Sequence, residues 1–215
     1  MKWINWHMLN KFKKQREAML INQLQARDIS DQRVLETFKQ VPREKFIKQD
    51  LQRYAYTDNP LAIGQGQSIS QPYVVAKMCQ LAELTGSERV LDVGAGSGYQ
   101  AAILSLLAKQ VFTIEIIEDL AKQAKIKLQK LSYKNVEVIY GDGQLGFKEE
   151  APFDLIISAA ASSTIPLSWK KQIKISGKII LPLITQRGQE LVRLTKEKTA
   201  FKQESFGLVA FVPLV

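Results

Sequence analysis

Residues 90–100 read VLDVGAGSGYQ, and the fold turns on this stretch. Val90, Leu91 and Val93 make a short apolar run of the kind a buried strand requires, and YQAAILSLLA after it has the composition of a helix. The glycines therefore occupy a strand-to-helix turn. Gly94 and Gly96 open backbone conformations closed to other residues and let a ligand come close to the main chain. A dinucleotide fingerprint starting at Gly94 would need glycine at 96 and 99, but position 99 is Tyr and the glycines fall at 94, 96 and 98. No Gly-Lys-Ser/Thr follows, so a phosphate loop is excluded as well.

Short apolar runs and helices alternate from there onward: RVLDV, then VFTIEI, EDLAKQAKIKLQKL, VEVIY, FDLIIS, SWKKQI and KIILPL. Such alternation implies βαβ units, a mostly parallel doubly wound sheet and helices on both faces. The tail, ELVRLT and LVAFVPL, has no long helix between its apolar runs and is expected to close the sheet with an antiparallel strand. In an open α/β sheet the ligand sits at the carboxyl ends of the strands. Glu115 stands at the tip of the second of these strands, where its carboxylate can accept both ribose hydroxyls of a nucleoside. Asp142 and Gly143 stand at the tip of the third, where the acid can accept from an adenine amino group and the glycine leaves room for the ring.

The first part of the chain reads differently. Residues 8–50 carry helical spacing, with a cap at Ser30 or Asp31 and a break at Pro42, and PYVVAKMCQLAEL makes a helix with proline in its first turn. We expect residues 1–60 to form a helical extension packed on a domain spanning 61–215. The composition, 46% hydrophobic and 24% charged, is that of a folded globular protein. A lone Cys79, read as packing, excludes an intrachain disulfide, and with no Cys/His cluster and no long apolar run the chain is expected to be cytoplasmic, without metal and without a membrane segment. The formal net charge of +9 could steer an anionic partner, but no aromatic residues interleave with the lysines as an RNA platform requires.

Between these parts lies IGQGQSISQP, residues 63–72, an exposed hydrogen-bonding stretch with two serines. A nucleophilic serine needs a base, and the only histidine, His7, lies far off in an N-terminal segment. Together with Asp92, the glycine spacing of 94, 96 and 98 resembles motif I of the S-adenosylmethionine-dependent methyltransferases of class I, whose fold is Rossmann-like. The chain from about residue 18 onward resembles the protein-L-isoaspartate (D-aspartate) O-methyltransferases, in ISDQRVLETFKQVPREKF, AIGQGQSISQPYVVAKM, VLDVGAGSGYQAAIL, VFTIEIIEDLA, NVEVIYGDGQLGFKEEAPFDLII and FVPL. The serine loop is the most specific of these segments.

The resemblance implies an enzyme that methylates the free carboxylate of isoaspartyl residues in damaged proteins, with repair proceeding through a succinimide. It implies Ser70 as the active-site serine, a hydrogen-bonding positioner. It also implies cofactor contacts at Gln67, Ser68, Ile69, Gly94, Ala95, Gly96, Glu115, Ile116, Asp142 and Gly143. The implied partners are isoaspartyl peptides rather than nucleic acid, and a monomer is expected. Ser68 stands where the family commonly has Thr, ISAAASST (157–164) differs from the commoner VTAAP, and ISGK (175–178) lacks a PGG turn. Residues 1–17, with Trp3, Trp6 and His7, extend beyond the family core as a capping or partner-binding helix or a surface extension.

Three rival readings share the cofactor turn. A base-amino methyltransferase carries an Asn/Asp-Pro-Pro-aromatic segment after the fourth strand, where this chain has SAAA, which offers nothing to stack on a base. A small-molecule O-methyltransferase needs a base or metal to activate a hydroxyl, and the sequence supplies neither in an identifiable place. A noncatalytic protein that retains the cofactor fold is disfavoured by the intact serine loop.

Overall fold

The computed structural model describes residues 3–215, and within its first helix the side chains of residues 3–10 are outside the description. The proposed roles of Trp3, Trp6 and His7 therefore fall on side chains outside the described residues. The chain begins with α1 (Trp3–Met19), which runs into a π-helical turn over Leu20–Gln25. α2 (Gln32–Gln40) follows, and of the two expected caps Asp31 is the one used, its side chain accepting from the Arg33 and Val34 amides at 2.8 and 3.2 Å. Short 3₁₀ turns at Arg43–Phe46 and Gln49–Tyr54 lead to a hairpin of β1 (Leu61–Gly64) and β2 (Gln67–Ile69). α3 (Pro72–Ala82) starts on its proline, whose missing N–H would have had no helical partner anyway.

The remaining elements are β3 (Arg89–Val93), α4 (Tyr99–Ser105), β4 (Gln110–Glu115), α5 (Glu118–Lys130), β5 (Val136–Tyr140), β6 (Phe153–Ser158), α6 (Leu167–Gln172), β7 (Ile173–Thr185), β8 (Gly188–Lys196) and β9 (Phe201–Val209). They build one sheet in the order β5-β4-β3-β6-β7-β8-β9. Pairing is parallel from β5 through β7 and antiparallel at β7–β8 and β8–β9, so β8 is the reversed strand. The last strand lies earlier than LVAFVPL suggested. Residues 210–214 instead form a strip that crosses back to residue 161, with the Ala161 amide donating to the Val212 carbonyl at 2.8 Å and the Leu214 amide to the Ala161 carbonyl at 2.7 Å.

Strand alternation divides the core into two layers. Val90, Val111, Leu155, Ile157 and Ile180 pack on one face with α3, α4 and the N-terminal helices, including Met19, Leu24, Val34 and Phe38. Leu91, Phe112, Ile114, Ile156, Ile179 and Leu181 pack on the other with Trp169. Cys79 is buried in the first layer, and desolvation raises its thiol pKa, which suits a packing role.

Asp92 faces that first layer with no exposure to solvent, accepting from Gln100 Nε2 and from the Thr113 hydroxyl, each at 2.8 Å. It thereby ties β3 to α4 and β4. Burial pushes its carboxyl up to about 7, against those two hydrogen bonds and with the nearby Glu115 charge acting in the same direction as burial. For an acid with a raised folded pKa the native state holds the proton more tightly than the unfolded chain, so stability is fully present below the unfolded value and declines as pH rises toward 7. We expect Asp92→Asn, which cannot ionise, to gain on the native chain by up to about 1.4 kcal/mol per pH unit between pH 5 and 7 and to run parallel above that, as read from urea midpoints across pH. A constant offset between the two would remove the buried ionisable group as the cause.

ISGK lies inside β7 as a bulge rather than a turn, where pairing with β6 jumps from Phe153–Ile173 to Leu155–Lys178, and it has a cost of its own. Exposed Ser176 sits in the left-handed region at φ 63°, which L side chains adopt at an expense of about 1–2 kcal/mol. Ser176→Gly should raise stability by roughly 0.5–1 kcal/mol once the extra flexibility of unfolded glycine is deducted, and a lower urea midpoint would show that the serine is not strained.

Candidate active site

The glycine turn is shaped by hydrogen bonds from its own strand neighbours. The Gly94 and Ala95 amides both donate to the Ile114 carbonyl, at 2.8 and 3.0 Å, which bends the chain over the tip of β4. Gly94, Gly96 and Gly98 hold φ of 93°, 52° and 86°, so three positions of the turn need the left-handed freedom of glycine. Glu115 fastens it: Oε2 accepts from the Gly96 amide at 2.7 Å and Oε1 from the Ile117 amide at 3.0 Å. Each carboxylate oxygen retains a second lone pair, and Glu115 lines the cavity above the turn.

At the tip of β5, Asp142 Oδ1 accepts from the Gln144 amide at 2.8 Å and so caps the short turn that holds Gly143. A Cβ on Gly143 would overlap Val93 Cγ1, and its carbonyl accepts from buried Trp169 Nε1 at 2.8 Å. Glycine is thus enforced there by close approach to β3.

The serine loop is part strand. Its hairpin turns through Gln65 (φ 51°) and Gly66 (φ 71°), positive at both central residues as a two-residue hairpin turn favours. Ile69 packs into the core, which leaves its neighbours Ser68 and Ser70 on the opposite side. Asp58 anchors the exit from this loop. Its Oδ2 accepts from Gln71 Nε2 at 2.7 Å, its Oδ1 from the Tyr73 amide at 3.2 Å, and Arg27 pairs with it at 3.1 Å.

Two cavities meet at this hairpin. One, of about 70 Å³, is bounded by Gln67, Ser68, Gly94, Gly96, Glu115, Ile116 and Gly143, with Val93, Ala159 and the 212–215 strip completing the wall. The other is an open cleft of about 700 Å³ that contains Ser70 beside Tyr73, Phe206 and Phe211. Ser68, Ala159 and Val212 line both. The structure therefore brings together seven of the sequence-derived positions in one cavity and sets Ser70 next door. Ile69, Ala95 and Asp142 are not on the cavity wall: the first two are buried and the third caps its turn.

Sequence reading missed Asp58, Ala159 and the 212–215 strip. Their roles depend on contacts across long chain separations, and only the FVPL match pointed toward the strip. Among the described residues no group of three or more His, Cys, Asp or Glu side chains could hold a metal ion, and no helix is long and apolar enough to cross a membrane.

The comparisons with known proteins concern the whole of this architecture. A family model described as protein-L-isoaspartate(D-aspartate) O-methyltransferase matches residues 14–215. A Shewanella sediminis protein-L-isoaspartate O-methyltransferase 2 is 48% identical, covering 95% of this chain and 84% of its own, and a Syntrophus aciditrophicus protein-L-isoaspartate O-methyltransferase is 44% identical over 97% of each. A solved protein-L-isoaspartate O-methyltransferase superposes with a TM-score of 0.83 at 26% identity, over 92% of this chain and 65% of that one. A Plasmodium falciparum structure described as a beta-aspartate methyltransferase in complex with S-adenosyl-L-homocysteine gives 0.80 at 26%, over 95% and 98%. With the family match spanning the glycine turn, the serine hairpin and the C-terminal strip together, this chain belongs to the protein-L-isoaspartate(D-aspartate) O-methyltransferase family.

Proposed function

We propose that the protein transfers a methyl group from S-adenosylmethionine to the free carboxylate of isoaspartyl residues in damaged proteins, in a reducing cytoplasmic setting. The observation that carries this reading is the shared wall: Ser68, Ala159 and Val212 border both the cavity built on the glycine turn and the open cleft. A donor in one space and a peptide in the other would meet at that wall.

The residues around the smaller cavity suit a nucleoside. Glu115 offers the unused lone pairs of its side-chain oxygens to ribose hydroxyls, Gly143 offers a flat floor against Val93, and Ile116 offers an apolar face. Asp142, next to Gly143 but off the cavity wall and fixed by its bond to the Gln144 amide, would accept from the adenine amino group. At about 70 Å³ the cavity holds only part of a nucleoside, and the remainder of the ligand would extend out of its open mouth. When bound, the cofactor supplies an electrophilic methyl on a cationic sulfur.

The protein's own task is then placement. A carboxylate with an ordinary pKa near ~4 is already ionised at neutral pH, so no residue has to take a proton from it. Ser70 donates a hydrogen bond that orients one acceptor oxygen, and the hairpin amides limit its rotation. Asp58 keeps Ser70 in register by gripping Gln71 and Tyr73 immediately beyond it. The cleft, of about 700 Å³, has room for several residues of a peptide, and Tyr73, Phe206 and Phe211 on its wall would displace water from the acceptor once the peptide is bound.

Purified protein given methyl-labelled S-adenosylmethionine should label an isoaspartyl peptide as a base-labile ester and leave the matched aspartyl peptide unlabelled. Label entering RNA and no peptide would overturn the substrate assignment. Ser70→Ala should lower kcat by on the order of tenfold or more with little change in cofactor affinity. Normal turnover with weakened cofactor binding would reverse the role given to Ser70. Glu115→Ala should weaken adenosylhomocysteine by on the order of 1.5–3 kcal/mol in calorimetry, and Glu115→Gln, which still accepts from the Gly96 amide, by less. Equal affinities in all three proteins would remove the ribose assignment.

A further inference from the structure

A third cavity, of about 110 Å³, lies on the opposite side of the glycine turn from the proposed cofactor space, and Gly96 forms part of both walls. Lys45 and Lys48 line it from the first 3₁₀ segment and the residues after it, Lys127 from α5, Ile63 from β1 and Ser97 from the turn itself. No carboxylate is on its wall.

Most described lysines of this chain make no ion pair, but these three share one cavity wall without an acid. Lys39, Lys77, Lys122, Lys174, Lys178 and Lys202 each pair with an acid within 4.0 Å. Lys45, Lys48 and Lys127 make no ion pair among the described residues. The acids that open α5 are engaged elsewhere, Glu118 with Lys122 and Asp119 with Gln65. Lys127 is the most enclosed of the three. Its Nζ reaches the Ser97 carbonyl at 3.5 Å and lies 5.8 Å from the Phe46 ring centroid, and burial lowers its pKa. A partly desolvated ammonium with only a weak neutral acceptor is a cost that folded proteins normally relieve with an anion.

We propose that this cavity binds a small tetrahedral oxyanion, with inorganic phosphate as the probe, between Lys45 and Lys48 on one side and Lys127 on the other. The volume accommodates one such ion with its nearest waters. Ser97, which is 8% exposed, accepts from the Tyr99 amide at 3.3 Å through its Oγ and keeps its own proton free to donate. An ion held here joins the N-terminal segment to α5 across the turn. Ile63 Cδ1 lies 3.3 Å from where a Cβ on Gly96 would stand, so the turn is already packed tightly against β1 on this side. Bracing it should favour the conformation that binds the nucleoside, and by linkage the two ligands should raise each other's affinity by the same factor. That coupling rests on the cofactor reading above, whereas oxyanion binding itself does not.

Thermal unfolding of the full chain in sodium phosphate against sodium chloride at matched ionic strength tests the site. Phosphate should raise Tm and chloride should not. The shift should be lost in Lys48→Gln/Lys127→Gln and kept in Lys122→Gln/Lys125→Gln, whose lysines lie on α5 outside the cavity. Lys48→Glu places a carboxylate inside, and should raise Tm without phosphate while abolishing the response. Ribose 5-phosphate, which carries the anion without an adenosine, should give no shift; a shift equal to that of phosphate would overturn the free oxyanion as the ligand. Equal effects of chloride and phosphate, or a response surviving in the Lys48/Lys127 variant, would overturn the site. If phosphate raises Tm yet leaves adenosylhomocysteine affinity unchanged, the site stands and the coupling is wrong.

Discussion

The carboxylate of Glu115 holds together the turn on which the rest of the site depends. Three glycines with positive φ in five residues make a loop with little conformational preference of its own, and such a loop stays ordered only if something outside it supplies hydrogen bonds. Glu115 supplies two from its side chain, to the amides of Gly96 and Ile117, and Ile114 supplies two more from its carbonyl. A charge-assisted bond to a backbone amide is stronger than a neutral one, so an acid at this strand tip secures the turn before any ligand arrives. The same carboxylate then faces the space where a nucleoside would lie. On the proposed reading one side chain at β4 would serve both local order and ligand recognition, while Asp92 one strand over is engaged wholly in internal bonds to Gln100 and Thr113.

The acceptor side is organised by a comparable device. Ser70 belongs to no regular element, sitting between β2 and the first turn of α3. Its placement is set by a hairpin on one side and by Asp58 on the other, and Asp58 reaches across from a loop some dozen residues earlier. Because Pro72 fixes its own φ and leaves no amide to satisfy, the two residues flanking it, Gln71 and Tyr73, are the ones that can be gripped, and Asp58 grips both.

Much of this was legible in the letters because the relevant constraints are local. The branched apolar runs of β3, β4 and β6 are buried on both faces and so stand out without alternation, whereas β5 at the sheet edge is only half-buried. Glycines at 94, 96 and 98 and the acids at 115 and 142 are tied to strand ends that periodicity locates. What the letters concealed is set by tertiary contact. IGQGQSIS reads as loop because it is rich in glycine and amides, yet positive φ at Gln65 and Gly66 folds it into a hairpin. LVAFVPL reads as a strand, yet the register of β8 and β9 ends at Val209 and the rest is drawn toward Ala161. Asp142 shows the same limit in a single residue: its position was readable, but its bond to the Gln144 amide was not.

The excess positive charge gains a more specific meaning from the fold. At +9 the chain could be taken for a nucleic-acid binder, and charge alone does not separate that from a soluble surface. Among the described residues most lysines pair with no acid, and three of these, Lys45, Lys48 and Lys127, share one cavity wall behind the glycine turn. The acceptor cleft is different again, since Arg27 and Lys77 at its margin are matched by Asp58 and Asp28. A cleft whose charges are already balanced suits substrates that vary in sequence around a single common feature. A balanced margin neither attracts nor repels the residues flanking the damaged site, and the discrimination falls to the hydrogen-bond geometry around one carboxylate.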